Sequence, residues 1–435
     1  MQPLTATPAV EAQVREASAV GTPALLLGTA PQRREDAAAY RAVGGYRPTG
    51  PAEQLERRLA AADLRGRGGA GFPAAVKIAG VNAQPPGPRT VIANGTEGEP
   101  ASVKDRFLTR MRPHLVLDGV AHAAAAVGAQ QAFVVVSDAP AANSLRRALR
   151  ENPPEWPLRI EVRLVPEAYV AGEESALVRH LDGGPALPTA KPPRVFEAGV
   201  GGEPTLVLNV ETLAHLALLA SGASGRADTF LATVSGLGHR PALYELPYGT
   251  VLGELLAHHA GEAPGTTAAT ATDVLLGGFF GGVLAADPGL VLAPASLRTL
   301  GAQLGCGAVV ALGPQDCPVH AAADILGYLA AESAKQCGAC LRGTAAMAQA
   351  LAALCRGEAA AEQVEQLRRW STTLPGRGAC GLLDAAAGNV AALLRTRPDA
   401  VAEHVAAACP RCAAHGGFPR RTRFALDLAL LPEPA

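Results

Sequence analysis

Thr90-Val91-Ile92-Ala93-Asn94-Gly95-Thr96-Glu97-Gly98-Glu99-Pro100 begins as a short apolar run and turns abruptly into glycines and carboxylates. The first four residues suit a strand, and the polar remainder marks its end. Comparable runs occur at Ala132–Ser137, Arg159–Val165 and Thr205–Leu208, with helical spacing at Leu115–Val127 and Ala141–Glu151 between them. Strands alternating with helices predict an α/β fold: a mostly parallel sheet with helices on both faces. Two more polar clusters follow strands. They are Tyr169-Val170-Ala171-Gly172-Glu173-Glu174 and Asn209-Val210-Glu211-Thr212. An open α/β sheet binds its ligand beyond the carboxyl ends of its strands. A solitary carboxylate there is usually a solvated loop charge, but the pairs Glu97/Glu99 and Glu173/Glu174 beside Gly and Tyr predict a site.

Composition limits what that site serves. The chain has 435 residues, enough for two to four domains, with 49% hydrophobic and 18% charged residues. Lys+Arg 38 against Asp+Glu 39 leaves −1, and no basic stripe points to nucleic acid. Val274–Ala286 is the most apolar segment, but it holds four glycines and falls short of the ~20 residues a spanning helix needs. No basic opening precedes Leu25-Leu26-Leu27, so no secretory signal is expected. A cytoplasmic location with no membrane span is the expectation. Only residues 77, 104, 191 and 335 are lysine, so arginine supplies nearly all the positive charge. A lysine retained against that bias hints that a compact ammonium is wanted there.

Gly66-x-Gly68-x-x-Gly71 matches the dinucleotide fingerprint in letters. Glycines allow a tight turn and a close approach of backbone N–H groups to phosphate. A helix precedes this loop, however, and no acidic residue lies about 20 residues on, so the Rossmann context is wrong. Alone, the match fits a plain glycine-rich connector equally well.

The order of motifs is more specific. LRGRGGAGFP with Lys77, NGTEGEP with Lys104-Asp105-Arg106, AYVAGEESAL, Lys191-Pro192-Pro193 and NVETLA follow one another. From about Tyr40 to beyond Cys380 the chain resembles the NADH-binding flavoprotein subunit of respiratory complex I and its relatives in NAD-reducing hydrogenases and formate dehydrogenases. The resemblance implies a Rossmann-like FMN and NADH domain, a small β-grasp (ubiquitin-like, soluble-ligand-binding) domain and a C-terminal helical bundle carrying a cluster. It implies that Gly66, Gly68, Lys77, Asn94, Glu97, Tyr169, Gly172, Glu173, Asn209 and Thr212 contact FMN. It further implies that Phe72, Glu99, Glu174 and Lys191 meet the nicotinamide nucleotide, with Glu97, Glu99 and Glu174 as the carboxylates nearest the chemistry. The sequence departs from the family at Thr96 and Leu208, and at Ile78 and Gly80, where aromatics are usual. It departs again at Arg194, which could stack on adenine or bind a 2′-phosphate and so favour NADPH.

All eight cysteines, at 306, 317, 337, 340, 355, 380, 409 and 412, lie after residue 300. The C-x-x-C spacing of two pairs points to metal or redox chemistry. Glu332-Ser333-Ala334-Lys335-Gln336-Cys337-Gly338-Ala339-Cys340 resembles the family's four-iron motif, with Cys380 as the distant ligand. Ala334 replaces the first cysteine. Several readings stay open: Cys409, Cys412 or Cys355 completes the cluster, the cluster carries an open iron or only three irons, Cys337/Cys340 and Cys409/Cys412 share zinc, or no metal binds. Cys306, Cys317 and Cys355 outside the motifs read as small buried hydrophobes.

The expected organisation is an N-terminal helical segment (1–50, helix near Glu35–Val43), an FMN- and NAD(P)H-binding α/β domain (51–235), a β-grasp domain (236–315) and a helical iron–sulfur domain (320–435). Residues 185–204, rich in Pro and Gly, read as a loop over the site or as a linker. The expected function is a diaphorase module. It would pass hydride from NAD(P)H to FMN, then single electrons to the cluster and to an iron–sulfur partner, a thioredoxin-like 2Fe–2S subunit or a ferredoxin, within a larger complex. The rival expectation is a diverged relative without flavin, acting as an electron-relay or assembly subunit.

Overall fold

The computed structural model describes residues 25–26, 33–48, 52–153, 157–222, 227–262, 271–405, 407, 409–415, 422–427, 431 and 434. Strands β1 (Thr90–Gly95), β2 (Gln131–Val136), β3 (Arg159–Leu164) and β4 (Thr205–Asn209) form one sheet in the order β3-β2-β1-β4. Every pairing in it is parallel. Side chains alternate across it. Val91 and Ala93 join the large apolar cluster beneath the helices Pro113–Val127 and Val210–Ser221, while Ile92 packs with Phe133, Val135 and Val207 on the other face. Both faces are thus apolar at the centre, as parallel strands require. The edge strand β3 instead exposes Arg159, Glu161 and Arg163, charges that discourage a further strand from pairing.

From β1 the chain builds outward through β2 to β3, then returns to lay β4 on the other side of β1. That reversal makes a switch point between β1 and β4, where Asn94 pairs with Asn209. Asn209 also starts the next helix, its side chain accepting the Glu211 N–H at 2.9 Å.

The second sheet contains β5 (Thr229–Gly236), β6 (His239–Pro247), β8 (Asp273–Leu276), β9 (Val283–Ala285) and β11 (Ala308–Leu312), ordered β6-β5-β11-β8-β9. The two-residue strands β7 (Thr250–Val251) and β10 (Val291–Leu292) pair separately. Leu252, Leu255 and Leu256 of the helix Leu252–His259 pack on Phe230, Tyr244 and Val274. The expected boundary at 235/236 needs correction. It cuts the β5–β6 hairpin at its turn, Gly236-Leu237-Gly238, where all three residues have positive φ. A glycine pair that reads as a break between units is the tight turn within one.

Four helices, Pro318–Ala331, Gly338–Cys355, Ala361–Thr373 and Leu382–Thr396, pack around Ile325, Met347, Leu351, Leu367, Leu383 and Val390. Within 1–50 the described helix is Ala37–Ala42, docked by the Tyr40 hydroxyl on Asp118 at 2.7 Å. The rest of that segment, apart from 25–26 and 33–48, lies outside the described residues. The 185–204 segment folds back on the first sheet, bringing Lys191 within 2.6 Å of Glu173. No helix among the described residues is long and apolar enough to cross a membrane.

Candidate active site

At the switch point lies a cavity of about 530 Å3, within the ~300–1,000 Å3 usual for small-ligand pockets. Gly68, Gly69 and Ala70 line one side, with Asn94, Thr96, Glu97, Gly98 and Glu99 after β1 and Asn209 after β4. Tyr169, Gly172 and Glu173 line another. The second sheet contributes Gly277, Phe280, Gln303 and Cys306, and the helical region contributes Cys380, Gly381 and Leu382.

The glycines leave the backbone bare. A Cβ on Gly172 would stand 2.6 Å from Thr96 Oγ1, and one on Gly68 would touch Asn209 at 3.4 Å. Gly69 and Gly71 have φ of +116° and +61°, which L side chains rarely adopt. The loop is held from beneath. Arg67 N–H donates to Thr212 Oγ1 at 2.9 Å, and the buried guanidinium donates to the Ala227 and Thr229 carbonyls at 2.9 and 2.8 Å. Its face also lies over the Tyr248 ring, 5.0 Å from the centroid.

Behind the loop sits a buried charge network. Lys104 pairs with Asp105 at 2.7 Å and Glu211 at 3.0 Å, and Asn209 Nδ2 donates to Asp105 Oδ2 at 2.7 Å. Burial works against the Lys104 ammonium, but these carboxylates outweigh it and hold its pKa above the ordinary range. Glu97 accepts the N–H groups of Asp105 and Arg106, each at 3.1 Å, and the Ser102 hydroxyl. That carboxylate therefore caps the helix Lys104–Met111. Burial, reinforced by Asp105, raises its pKa. Glu99 accepts the Phe279 N–H at 2.9 Å, joining the two sheets, and burial pushes it up to about 7.

Tyr169 is wedged between Phe280 and Tyr328, with ring centroids 5.9 and 5.8 Å away. Its buried hydroxyl has no hydrogen-bond partner, a group waiting for one. Its N–H donates to Glu332 at 2.8 Å, tying this turn to the loop that begins the cysteine motif.

Outside the cavity, Lys77 and Lys191 each lie 3.3 Å from Glu174, and Lys191 also pairs with Glu173. Burial opposes the Glu174 charge, yet the two lysines lower its pKa. Phe72 is exposed. Gly66 lines a neighbouring cavity of about 290 Å3, and Thr212 acts on the loop through Arg67. The Phe196 ring comes within 3.7 Å of where a Gly80 Cβ would stand, putting an aromatic ring against the helix that carries Lys77. Arg194 is exposed, its N–H bonded to Glu197. Among the expected residues, the cavity thus gathers Gly68, Asn94, Glu97, Glu99, Tyr169, Gly172, Glu173, Asn209 and Cys380. Sequence alone did not reveal Arg67, Asp105, Phe280, Gln303 and Cys306. The glycines around Phe279-Phe280 permit the close packing that brings the second sheet here: a Cβ on Gly278 would stand 2.6 Å from Glu99 Oε2 and 2.7 Å from Cys306 Sγ.

Cys337, Cys340 and Cys380 line one small cavity with Ser333 and Ala334. Cys337 Sγ accepts the Ala379 N–H at 3.4 Å, and Ser333 Oγ lies 3.5 Å from Cys340 Sγ. Three thiols suit three corners of a four-iron cluster, and Ala334 leaves the fourth without one. The other cysteines do not supply it. Cys409 and Cys412 gather with Cys317 and His404, and Cys355 lies against Cys412. The zinc pairing of Cys337/Cys340 with Cys409/Cys412 is likewise corrected. The helix Gly338–Cys355 separates the two pairs, and its 18 residues span ~27 Å. Cys317 is fully buried in the helical core, as expected of a small hydrophobe, and its thiol also lies 3.3 Å from His404 Nε2 and 3.5 Å from Cys412 Sγ.

The Nuo51 FMN-binding domain model matches residues 59–218, the sheet and its loops. The NADH-ubiquinone oxidoreductase-F iron–sulfur binding region matches residues 320–404. The second NADH-quinone oxidoreductase F subunit of Rhizobium meliloti (strain 1021) is 32% identical, over 85% of this chain and 95% of that protein. The chain belongs to the family of NADH-quinone oxidoreductase F subunits. The F subunit of Aquifex aeolicus (strain VF5) is 33% identical over 73% of this chain and 78% of its own. A crystal structure of an NAD+-reducing [NiFe]-hydrogenase in the H2-reduced state superposes with a TM-score of 0.72 at 28% identity, covering 86% of this chain and 67% of the other. This member of the family is therefore an oxidoreductase, an NADH dehydrogenase module with an FMN-binding domain and a four-iron binding region. Its relatives are named as subunits, so partner subunits are expected. The bare glycine backbone and the unpartnered Tyr169 hydroxyl fit FMN, and the three thiols fit all but one corner of the cluster.

Proposed function

We propose that the switch-point cavity holds FMN, that NADH or NADPH binds along its outer side, and that electrons leave by way of the Cys337–Cys340–Cys380 site to an iron–sulfur partner protein, of the thioredoxin-like 2Fe–2S or ferredoxin kind. FMN supplies the change from a two-electron hydride donor to one-electron outflow, and the cluster supplies a one-electron relay. The observation that carries this reading is Cys380, which lines both the large cavity and the small cysteine cavity.

The chain's own residues bind and orient. Gly68, Asn94, Tyr169, Gly172 and Asn209 would hold the flavin, with Thr212 fixing the loop through Arg67; Gly66, expected at the flavin, lines the neighbouring cavity instead. Glu97 keeps the β1 loop in shape by capping the helix behind it. Phe72, Glu174 and Lys191 would meet the nucleotide, where ammonium groups suit phosphate and carboxylates accept from ribose or carboxamide; Lys77, expected at FMN, stands outside the cavity paired with Glu174 and would join them there. Glu173 holds Lys191 in place. Glu99, titrating near neutrality, can hold or release a proton at a carboxyl oxygen inside the cavity. The Tyr169 and Phe280 rings form an apolar part of the cavity wall.

Anaerobic purification, an absorption spectrum and flavin analysis test the reading. About one FMN per chain, bleached on adding NADH or NADPH, is the expected result. A colourless protein that takes up no FMN on reconstitution would leave the rival, a non-catalytic relay or assembly subunit.

A further inference from the structure

Away from the cavity, Cys317, His404, Cys409 and Cys412 converge on one point. Their ligand atoms all lie within 4.8 Å of one another, and all four residues are buried. Cys317 Sγ and Cys412 Sγ are 3.5 Å apart, and His404 Nε2 stands 3.3 Å from each. A zinc ion bound at ~2.3 Å to sulfur and ~2.0 Å to nitrogen sets tetrahedral edges of roughly 3.5–3.8 Å. The three measured separations are within a few tenths of an ångström of that shape. They are far from the ~2.05 Å of a disulfide, and all eight cysteines are free.

Separate backbone elements deliver the ligands. Cys317 follows β11 and caps the helix Pro318–Ala331, where the His320 N–H meets its sulfur. His404 follows the helix Pro398–Glu403, and its Nδ1 lies 2.6 Å from the Ala400 carbonyl. That hydrogen bond leaves Nε2 as the free nitrogen, aimed at the sulfurs, the outer-shell arrangement of a metal-bound histidine. Cys409 receives the Arg411 and Cys412 N–H groups. Neither the flavin cavity nor the Cys337–Cys340–Cys380 site explains why three thiols and an imidazole should be buried together.

We infer that Cys317, His404, Cys409 and Cys412 form a second metal site, a closed mononuclear zinc centre that clamps the C-terminal tail to the junction between β11 and the helix Pro318–Ala331. Three thiolates and one imidazole, buried and with no position left open, are the donor set of structural zinc. The site is not an extension of the iron–sulfur region: Cys317 precedes and Cys409 and Cys412 follow the matched residues 320–404. Beyond it the tail stays pinned. Arg411 donates to the Asp316 carbonyl at 3.2 Å, Thr422 to Asp324 at 2.6 Å, and the Leu426 N–H to the Pro100 carbonyl at 3.1 Å. The clamp thereby anchors a segment that reaches the loop carrying Glu99.

Metal analysis of the full chain, after gel filtration in the presence of a chelator, tests the site. About one zinc per chain is expected, falling to near zero in Cys412→Ser and His404→Ala, with flavin and iron unchanged. Cys355→Ala, which alters a neighbouring sulfur that is not a ligand, keeps the zinc. Should the ligand variants fail to fold, cobalt loaded into the wild-type chain decides. Tetrahedral cobalt–thiolate bands, displaced by one equivalent of zinc, support the site. Wild-type protein with neither zinc nor those bands overturns it, as does zinc that persists in Cys412→Ser or is lost instead in Cys337→Ser.

Discussion

Cys337, Cys340 and Cys380 stand beside a ligand cavity, two of them part-exposed, whereas Cys317, His404, Cys409 and Cys412 are all buried. The first set offers three thiols and leaves a corner at Ala334 without one. The second offers four donors already gathered around a point. The two lie toward opposite ends of the helix Gly338–Cys355. A centre that exchanges electrons must touch its donor and its acceptor, so it sits where domains and cavities meet. A centre that only holds chain together does better enclosed, where no ligand can compete. The same donor, thiolate, serves either end according to what surrounds it.

The largest effect should come from Cys380→Ala. Losing a ligand outright should weaken cluster binding by more than the ~10–100-fold typical of losing an outer-shell partner. Iron content and NADH-driven reduction of a one-electron acceptor should fall together, while FMN is still bleached. Cys412→Ser should do the reverse, sparing iron and losing zinc. Iron loss in both variants would dissolve the distinction between the sites.

Gly172→Val should follow in size. Its Cβ would stand 2.6 Å from Thr96 Oγ1, and such overpacking costs ~1–3 kcal/mol. FMN affinity, read by fluorescence titration, should drop about tenfold to a hundredfold, with zinc and iron unaffected.

Glu99 gives a smaller, pH-dependent effect. Its folded pKa of about 7 lies above its ordinary 4.5, so the folded chain holds that proton more tightly than the unfolded chain. Stability from this group is full below pH 4.5, declines as pH rises toward 7, and stays diminished above it, by up to about 3 kcal/mol. Glu99→Gln should flatten that decline in thermal unfolding at pH 5 and pH 8. An unchanged slope would show that Glu99 is ionised at little cost.

Arg194→Ala should produce the smallest change. The side chain is exposed, and exposed charge contacts are worth ~0–1 kcal/mol, so the NADPH/NADH preference should shift by less than about fivefold. No shift at all would sink a 2′-phosphate role.

Much of the first sheet was legible because its strands are short apolar runs ending in polar turns. β1, β2, β3 and β4 fall within a residue or two of the expected positions. The β5–β6 hairpin was not, because Gly236 and Gly238 punctuate a sequence whether they join strands or separate domains. In the cavity, residues on adjacent strand ends such as Asn94 and Asn209 were readable from local order. Phe280, Gln303 and Cys306 were not, since they reach the site only through the packing of the second sheet. The Cys317–His404 pairing illustrates the same limit. His404-x-x-x-x-Cys409-x-x-Cys412 is a readable local motif, but its fourth member lies 87 residues before the histidine and nothing in its own surroundings marks it.

The most direct test of the shared role of Cys380 is electron paramagnetic resonance on anaerobic protein reduced with NADH, in the wild type and in Cys380→Ala. A reduced iron–sulfur signal in the wild type, lost in the variant while flavin bleaching persists in both, is the predicted result. Bleached flavin with no such signal in the wild type, or a signal unchanged by Cys380→Ala, would contradict it.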